Sequence, residues 1–306
     1  MSSKEATFTS FTPEQAAAYA AARGKGYPQA LYEGILKYHT GQLDKLLDVG
    51  SGPGTAVFDL LPHFAKGFGC DAGVEMIAQA KIVASRLGVD GRTEFAVCEA
   101  EKCDQAFPGE KVDLVTVGMA AHWFDMSKFY EAVGKVLKPG GTLAMWTCSS
   151  LYVHPSVPNY QDIQEILSDL EDKMLGPYAT PGNMLSRNAY EELPLPWEIQ
   201  GAECKFEKDS FQHQDGDRGG VPSSSPAPGK SFSPFVLNQK LQTLENLVAA
   251  LGSTSMVIRW RQANSAKAHT EDDPINITVA RLKKALHGQE VLVRSPSLTL
   301  LLTRRS

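Results

Sequence analysis

From Asp44 onward the apolar positions fall into two alternating rhythms. Short, nearly unbroken apolar runs at Leu46 to Val49, Gly67 to Cys70, Glu94 to Val97, Val112 to Val117 and Thr142 to Trp146 predict buried strands. Between them, apolar residues recur at helical spacing near Thr55 to Phe64, from Val74 to Leu87 and from Ser127 to Leu137. Strands that alternate with helices in this way imply an α/β fold, with a mostly parallel sheet covered by helices on both faces. Lys138-Pro139-Gly140-Gly141 predicts a helix stop and a turn before the fifth strand.

The flanks read differently. Thr12-Pro13-Glu14-Gln15 has the form of a capping box that opens a helix through about Arg23, and a second helix is predicted from Pro28 towards His39. Neither belongs to the sheet, so residues 1–42 are assigned to a helical lid and 43–150 to the core. Residues 151–306 are assigned to a helical cap insertion, a loop and the last strands of the core sheet. Helices are predicted over Gln161 to Leu175, Leu241 to Leu251 and Pro274 to His287, and strands over Ala202 to Glu207 and Ser297 to Thr303, the final one antiparallel. The stretch from Asp209 to Pro234, rich in Ser, Pro and Gly, is expected to be a loop without secondary structure.

Composition narrows the function classes. The 306 residues carry a formal charge of −5, which disfavours a nucleic-acid substrate because no basic field is available to meet phosphates. Five cysteines without a CxxC pair argue against a structural metal and for reduced thiols. The N-terminal Met-Ser-Ser-Lys-Glu-Ala-Thr lacks an apolar signal segment, and no run approaches the ~18 apolar residues of a membrane span, so a cytoplasmic protein is expected.

Candidate chemistry begins where the first strand ends. Asp48-Val49-Gly50-Ser51-Gly52-Pro53-Gly54-Thr55 joins a buried strand to a helix, and its glycines let the backbone turn sharply and approach a ligand. The phosphate-loop signature GxxxxGK[ST] is absent, and the spacing is GxGxG behind an acidic residue rather than the dinucleotide GxGxxG. This arrangement resembles the first motif of class I S-adenosylmethionine (SAM)-dependent methyltransferases, whose Rossmann-like sheet is then the expected fold. Asp48, Gly50, Ser51, Gly52 and Gly54 become candidate cofactor contacts. About twenty residues on, Asp71 ends the second strand, followed by Ala72, where a carboxylate can accept hydrogen bonds from ribose hydroxyls. A helix N-cap is its plainer role. By the same resemblance Glu99, chosen over Glu101, and Ala100 meet the adenine edge, and Met76 lies on the ring face unless it is ordinary core.

After the fourth strand comes Gly118-Met119-Ala120-Ala121-His122-Trp123-Phe124-Asp125, at the sheet edge where open α/β folds bind ligands. Met119 and Ala120 are candidate cofactor contacts, and His122 and Trp123 candidate substrate contacts. Leu47 to Ala56, Ala121 to Asp125, Tyr19 and Arg23 followed by Tyr27 and Pro28, and Gly176-Pro177-Tyr178 with Pro181-Gly182 together resemble the fungal trans-aconitate methyltransferase family, with its cantharidin-type and secondary-metabolite relatives. The resemblance is strong to Trp146 and thin beyond it. It implies SAM as cofactor and a small-molecule acceptor, held by Tyr19, Tyr27, His122, Trp123, Tyr178 and Arg187. His122 or Tyr178 is the candidate base if the acceptor needs one. Arg23 pairs with the SAM carboxylate or with the acceptor, or is a solvated helix-end cation.

Departures from that family fall on the cap. Ala179 stands where GPYW is usual and Asn183 where an Arg is usual, while Arg187 retains one cation. Losing a cationic fork weakens recognition of a tricarboxylate. Two rivals remain: a macromolecule methyltransferase, and a SAM-fold protein that catalyses a rearrangement or serves as a binding partner. Oligomeric state is not legible.

Overall fold

The computed structural model describes residues 7–23, 26–149, 153, 157–199, 206–216, 233–235, 240–288, 291–294 and 298–306. The chain opens with helices α1 (Pro13–Arg23) and α2 (Gln29–Tyr38). The predicted capping box is formed: the Thr12 N–H donates to Gln15 Oε1 at 2.9 Å and the Gln15 N–H donates to Thr12 Oγ1 at 3.3 Å. The alternating core follows as β1 (Lys45–Val49), α3 (Thr55–Leu60), β2 (Lys66–Asp71), α4 (Val74–Leu87), β3 (Thr93–Val97), α5 (Cys103–Ala106), β4 (Val112–Gly118), α6 (Met126–Val136) and β5 (Leu137–Cys148).

The cap contributes α7 (Tyr160–Ser168), a π-helical turn (Asp169–Met174) and α8 (Pro181–Arg187). Then come β6 (Phe206–Gly216), β7 (Ser233–Phe235), β8 (Lys240–Thr243), α9 (Leu244–Gly252), α10 (Ser255–Ala263), α11 (Pro274–Ala285), β9 (Val291–Arg294) and β10 (Leu298–Arg305). The main sheet runs β3-β2-β1-β4-β5-β10-β6-β7. Strands β1 to β5 pair in parallel, whereas β10 is antiparallel to both β5 and β6. Strand order reverses between β1 and β4, and the crevice beyond their carboxyl ends is where such sheets bind ligands.

Each face of the sheet has its own apolar layer. One packs Leu47, Val115, Val117, Phe129 and Val133, and the other packs Leu31, Ile35, Val57, Ile77 and Leu114. The cap has a separate core of Ile163, Leu167, Leu170, Leu251, Val257 and Leu282. The cap therefore sits over the crevice as a packed body.

Several expected elements differ from those observed. The stretch from Asp209 to Pro234 is not structureless: β6 runs to Gly216 along β10, and Ser233–Phe235 pairs with β6, while residues 217–232 lie outside the described part. A strand near the sheet margin needs ladder hydrogen bonds rather than buried side chains, so its polar sequence hid it. Residues 202–205 and Ser297, at the starts of the two late predicted strands, also lie outside the described part. The predicted turn at Lys138 to Gly141 is absorbed into β5, where Gly140 takes φ +72° and the register with β4 shifts. The helix expected over Gln161 to Leu175 stops at Ser168 and continues as the π-helical turn. Lys240–Thr243 pairs with Val291–Arg294, so α9 begins only at Leu244. Helices α8 and α10 were not foreseen. Among the described residues, no helix is long and apolar enough to cross a membrane.

Candidate active site

At the switch point the chain leaves β1 through a turn that only glycine geometry permits. Gly50, Gly52 and Gly54 have φ +71°, +51° and +88°, a region L side chains rarely adopt. A Cβ on Gly50 would meet the Ala120 Cβ at 2.6 Å, and one on Gly54 would meet the Phe58 ring at 2.7 Å. A Cβ on Gly52 would meet nothing within 4 Å among the described residues beyond its chain neighbours. Gly50 and Gly54 are thus demanded by packing, whereas Gly52 opens onto empty space.

The turn is pinned from β2. Asp71 accepts from the Gly52 N–H at 2.8 Å through one carboxylate oxygen and from the Gly73 N–H at 2.7 Å through the other. Burial raises the Asp71 pKa, and these two N–H groups work against that rise. Asp48 lies opposite Thr116 in the β1–β4 register and accepts from its hydroxyl at 2.7 Å. Burial pushes the Asp48 carboxyl up to about 7, the Thr116 bond opposing and the Asp71 charge adding. The Ser51 hydroxyl is buried and has no hydrogen-bond partner among the described residues.

These groups border a cavity of about 1070 Å³. Its walls include Asp48, Gly50, Ser51 and Gly52 from the turn, Asp71, Ala72 and Met76 after β2, and Glu99 and Ala100 after β3. Met119, Ala120, His122 and Trp123 follow from β4, Tyr19 and Tyr27 from the lid, and Arg187 from the cap. Sixteen expected site residues thus share one wall in space, although they are scattered from Tyr19 to Arg187 in sequence. Gly54 stands behind the turn and off that wall. Arg23 closes α1, and its side chain lies outside the described part.

Three expected roles are altered by the geometry. Tyr178 does not reach the cavity: its hydroxyl accepts from Asn264 Nδ2 at 2.8 Å and its carbonyl accepts from Arg259 Nε at 2.9 Å, which makes it a cap-internal tie rather than a candidate base. Arg187 reaches the cavity already paired, with Glu171 at 3.8 Å and with Asp172. It therefore meets a ligand with its charge compensated. Asn183, where an Arg was usual, caps α8 by accepting from the Thr180 N–H at 3.0 Å, and its amide donates to Ser255 Oγ at 3.0 Å.

His122 does face the cavity, but burial drives its pKa down to about 3, so the ring is neutral and a weak base. Its Nδ1 lies 2.8 Å from the hydroxyl of Tyr190, a buried residue that sequence reasoning missed. No local pattern marks Tyr190, because its position depends on how α8 ends. The unfolded chain takes up a proton on this imidazole near pH 6.5, whereas the folded protein resists until far lower. The stability that neutral His122 contributes is complete above pH 6.5 and is lost as pH falls towards 3. His122→Asn should therefore show a smaller drop in Tm between pH 7 and about pH 4.5 than the parent protein. An equal drop in both would contradict this assignment.

The donor set fits SAM on three counts. The open Cβ position at Gly52 gives close approach to backbone, the unpartnered Ser51 hydroxyl offers a buried polar contact, and Asp71 and Glu99 present carboxylates spaced along the sheet edge. Glu99 also pairs with Lys102 at 3.0 Å on the surface, a contact in water that a ligand can displace at little cost. Among the described residues, no group of three or more His, Cys, Asp or Glu side chains is placed to hold a metal ion.

Known proteins agree with this architecture. A family profile described as "Methyltransferase domain" matches residues 41–193. The chain is 29% identical over 136 residues to the "probable S-adenosylmethionine-dependent methyltransferase CRG1" of Saccharomyces cerevisiae, covering 44% of this chain and 45% of that one. It is 31% identical over 140 residues to a "putative methyltransferase" of Dictyostelium discoideum, covering 46% and 48%. These matches span about half the length of either relative. The structure of a "putative type II methyltransferase" from Anaeromyxobacter dehalogenans superposes with a TM-score of 0.61 at 21% identity, covering 92% of this chain and 97% of that chain, which speaks to the fold. The chain belongs to the methyltransferase-domain family, whose cofactor is SAM.

Proposed function

We propose that the protein transfers a methyl group from SAM to a small-molecule acceptor in the cytoplasm. The observation that carries this reading is one continuous cavity in which the Gly50–Gly54 turn and Asp71 adjoin an apolar chamber under the cap. Its volume of about 1070 Å³ exceeds the ~300–1,000 Å³ usual for one drug-sized ligand, so a cofactor and a second molecule fit side by side. The chamber walls include Leu170, Leu175, Ala250, Met256 and Trp123, which favour an acceptor with an apolar body.

Asp71 and Glu99 would hold the ribose and the adenine amine, the turn's backbone would line the amino-acid end, and Met76 would lie against the base. When bound, SAM supplies an electrophilic methyl on a sulfonium. The residues of this chain then need to align the acceptor and keep water away, and orientation of that kind accounts for roughly 7–11 kcal/mol of barrier in favourable cases. The lid, through Phe8, Tyr19 and Tyr27, the cap, through α8, and Trp123 from the core would exclude water from the reacting atoms.

The motif likeness to the trans-aconitate and cantharidin methyltransferases supports a metabolite acceptor. Asn183 and the compensated Arg187 offer little to a polycarboxylate, so the acceptor is taken to be less charged than trans-aconitate. Arg187→Ala should leave SAM affinity within about twofold and raise the acceptor KM about three- to tenfold, because it strips Glu171 of a partner on the chamber wall. Unchanged kinetics on an identified acceptor would move that acceptor away from α8. Calorimetry with S-adenosylhomocysteine and with NADH tests the cofactor half of the proposal: binding of the first alone is expected, and binding of NADH alone would overturn it.

A further inference from the structure

Helix α8 ends in an unusual way directly beside the cavity. The Tyr190 N–H donates to the Leu185 carbonyl at 3.0 Å and the Ala189 N–H donates to the Ser186 carbonyl at 2.9 Å, the paired bonds of a Schellman-type stop. Such stops favour glycine at the left-handed position, yet here both Ala189 and Tyr190 are left-handed, with φ +57° and +59°. Two consecutive side-chain-bearing residues in this region cost conformational energy that the surrounding structure has to offset. The result of the contortion is specific: the Tyr190 ring turns inward, buried, and its hydroxyl lies 2.8 Å from His122 Nδ1.

The direction of that bond follows from the burial of the phenol. The Tyr190 hydroxyl is buried with His122 Nδ1 within hydrogen-bond reach, and burial drives its pKa up. The phenol keeps its proton, and a phenol hydrogen held away from water is costly to leave without an acceptor. A phenol has one hydrogen to give, and Nδ1 is the acceptor placed to take it. A neutral imidazole that accepts at Nδ1 carries its own hydrogen at Nε2. Among the described residues His122 has no second hydrogen-bond partner, and the ring forms part of the cavity wall.

We infer that Tyr190 is a positioning residue that fixes His122 as the Nε2–H tautomer, so that His122 presents a hydrogen-bond donor, not a base, to an ionised oxygen of the methyl acceptor, on a lone pair other than the one that attacks the methyl. The inference rests on the reading that the cavity holds the acceptor, but the tautomer itself can be measured without turnover. A donor aimed at the acceptor fixes the nucleophile's direction towards the methyl without taking a proton from it. The chain's contribution at this corner is then orientation.

The test is nitrogen-15 NMR of the seven-histidine protein, free and with S-adenosylhomocysteine, with the His122 signals identified by their loss in His122→Asn. The expected spectrum has a pyridine-type Nδ1 and a proton-bearing Nε2 at pH 7. Tyr190→Phe keeps the buried ring and removes the donor, so a mixture of tautomers is expected. On any acceptor found by labelling, that variant should lose about three- to tenfold in kcat, the worth of one neutral hydrogen bond, with S-adenosylhomocysteine affinity within about twofold of the parent's. If Tyr190→Phe fails to fold, the parent spectrum alone decides. A parent ring protonated on Nδ1 or mixed between tautomers, or a folded Tyr190→Phe ring with the parent's tautomer, would overturn the inference. Failure of the protein to methylate any small molecule would leave the tautomer result standing and would count against the proposed function instead.

Discussion

Gly52→Val is expected to give a folded protein that no longer binds SAM. The added side chain enters space in which no atom of the described residues beyond its chain neighbours lies within 4 Å of the Cβ position, so no neighbour in the described core has to move. The left-handed backbone at φ +51° makes a β-branched residue costly by about 1–3 kcal/mol, which a domain of this size tolerates while its turn distorts locally. The same side chain would fill the proposed point of close approach to the cofactor. Affinity for S-adenosylhomocysteine should fall at least about a hundredfold, as read by calorimetry, roughly the effect of losing two or more close contacts of ~1.4 kcal/mol each. Binding near the parent value in a folded variant would place the cofactor elsewhere. Gly50→Val makes the informative contrast, because its Cβ strikes Ala120 and Phe124 and the loss should appear in Tm as well.

Asp71→Ala should have the second largest effect, through two losses at once. The carboxylate's present bonds to the Gly52 and Gly73 N–H groups set the shape of the turn and the start of α4, and a charged acceptor is worth about 1.5–3 kcal/mol per bond. Removing it leaves two backbone donors to find water and removes the proposed ribose contact. S-adenosylhomocysteine affinity should fall by a factor of about thirty to a few hundred, with a Tm lower by several degrees. Asp71→Asn should lie between, since one amide oxygen still accepts while the amide nitrogen confronts a second N–H. A variant that lost stability but kept cofactor affinity would confine Asp71 to holding the turn.

The parts of this site that the sequence made legible are those governed by local rules. Glycine spacing behind Asp48 located the turn because positive φ is a property of single residues, and Thr12 with Gln15 located the start of α1 because a capping box is complete within four positions. The apolar runs placed β1 to β4 within a residue or two. What was hidden depends on distant partners. The turn residues 138–141 proved to belong to β5, and β6 escaped because pairing with β10, not apolar content, makes it a strand. Tyr178 is expected at the cavity because its motif neighbours are, yet the side chain turns towards Asn264, the residue just past the end of α10, a helix that the sequence does not announce. Arg187 was read as an available cation because its partners, Glu171 and Asp172, sit on a π-helical turn whose phase no periodicity argument anticipates. Tyr190 was missed for a related reason. Its inward direction is set by the left-handed end of α8, which no glycine announced.

The most direct test of the central claim follows the methyl group itself. The protein is incubated with methyl-labelled SAM and a desalted extract of small molecules, and the products are read by untargeted mass spectrometry alongside S-adenosylhomocysteine release. The account predicts a labelled species of low molecular mass that forms in step with S-adenosylhomocysteine and is absent with Gly52→Val. SAM that binds but is never consumed, or label that appears only in macromolecules, would contradict it.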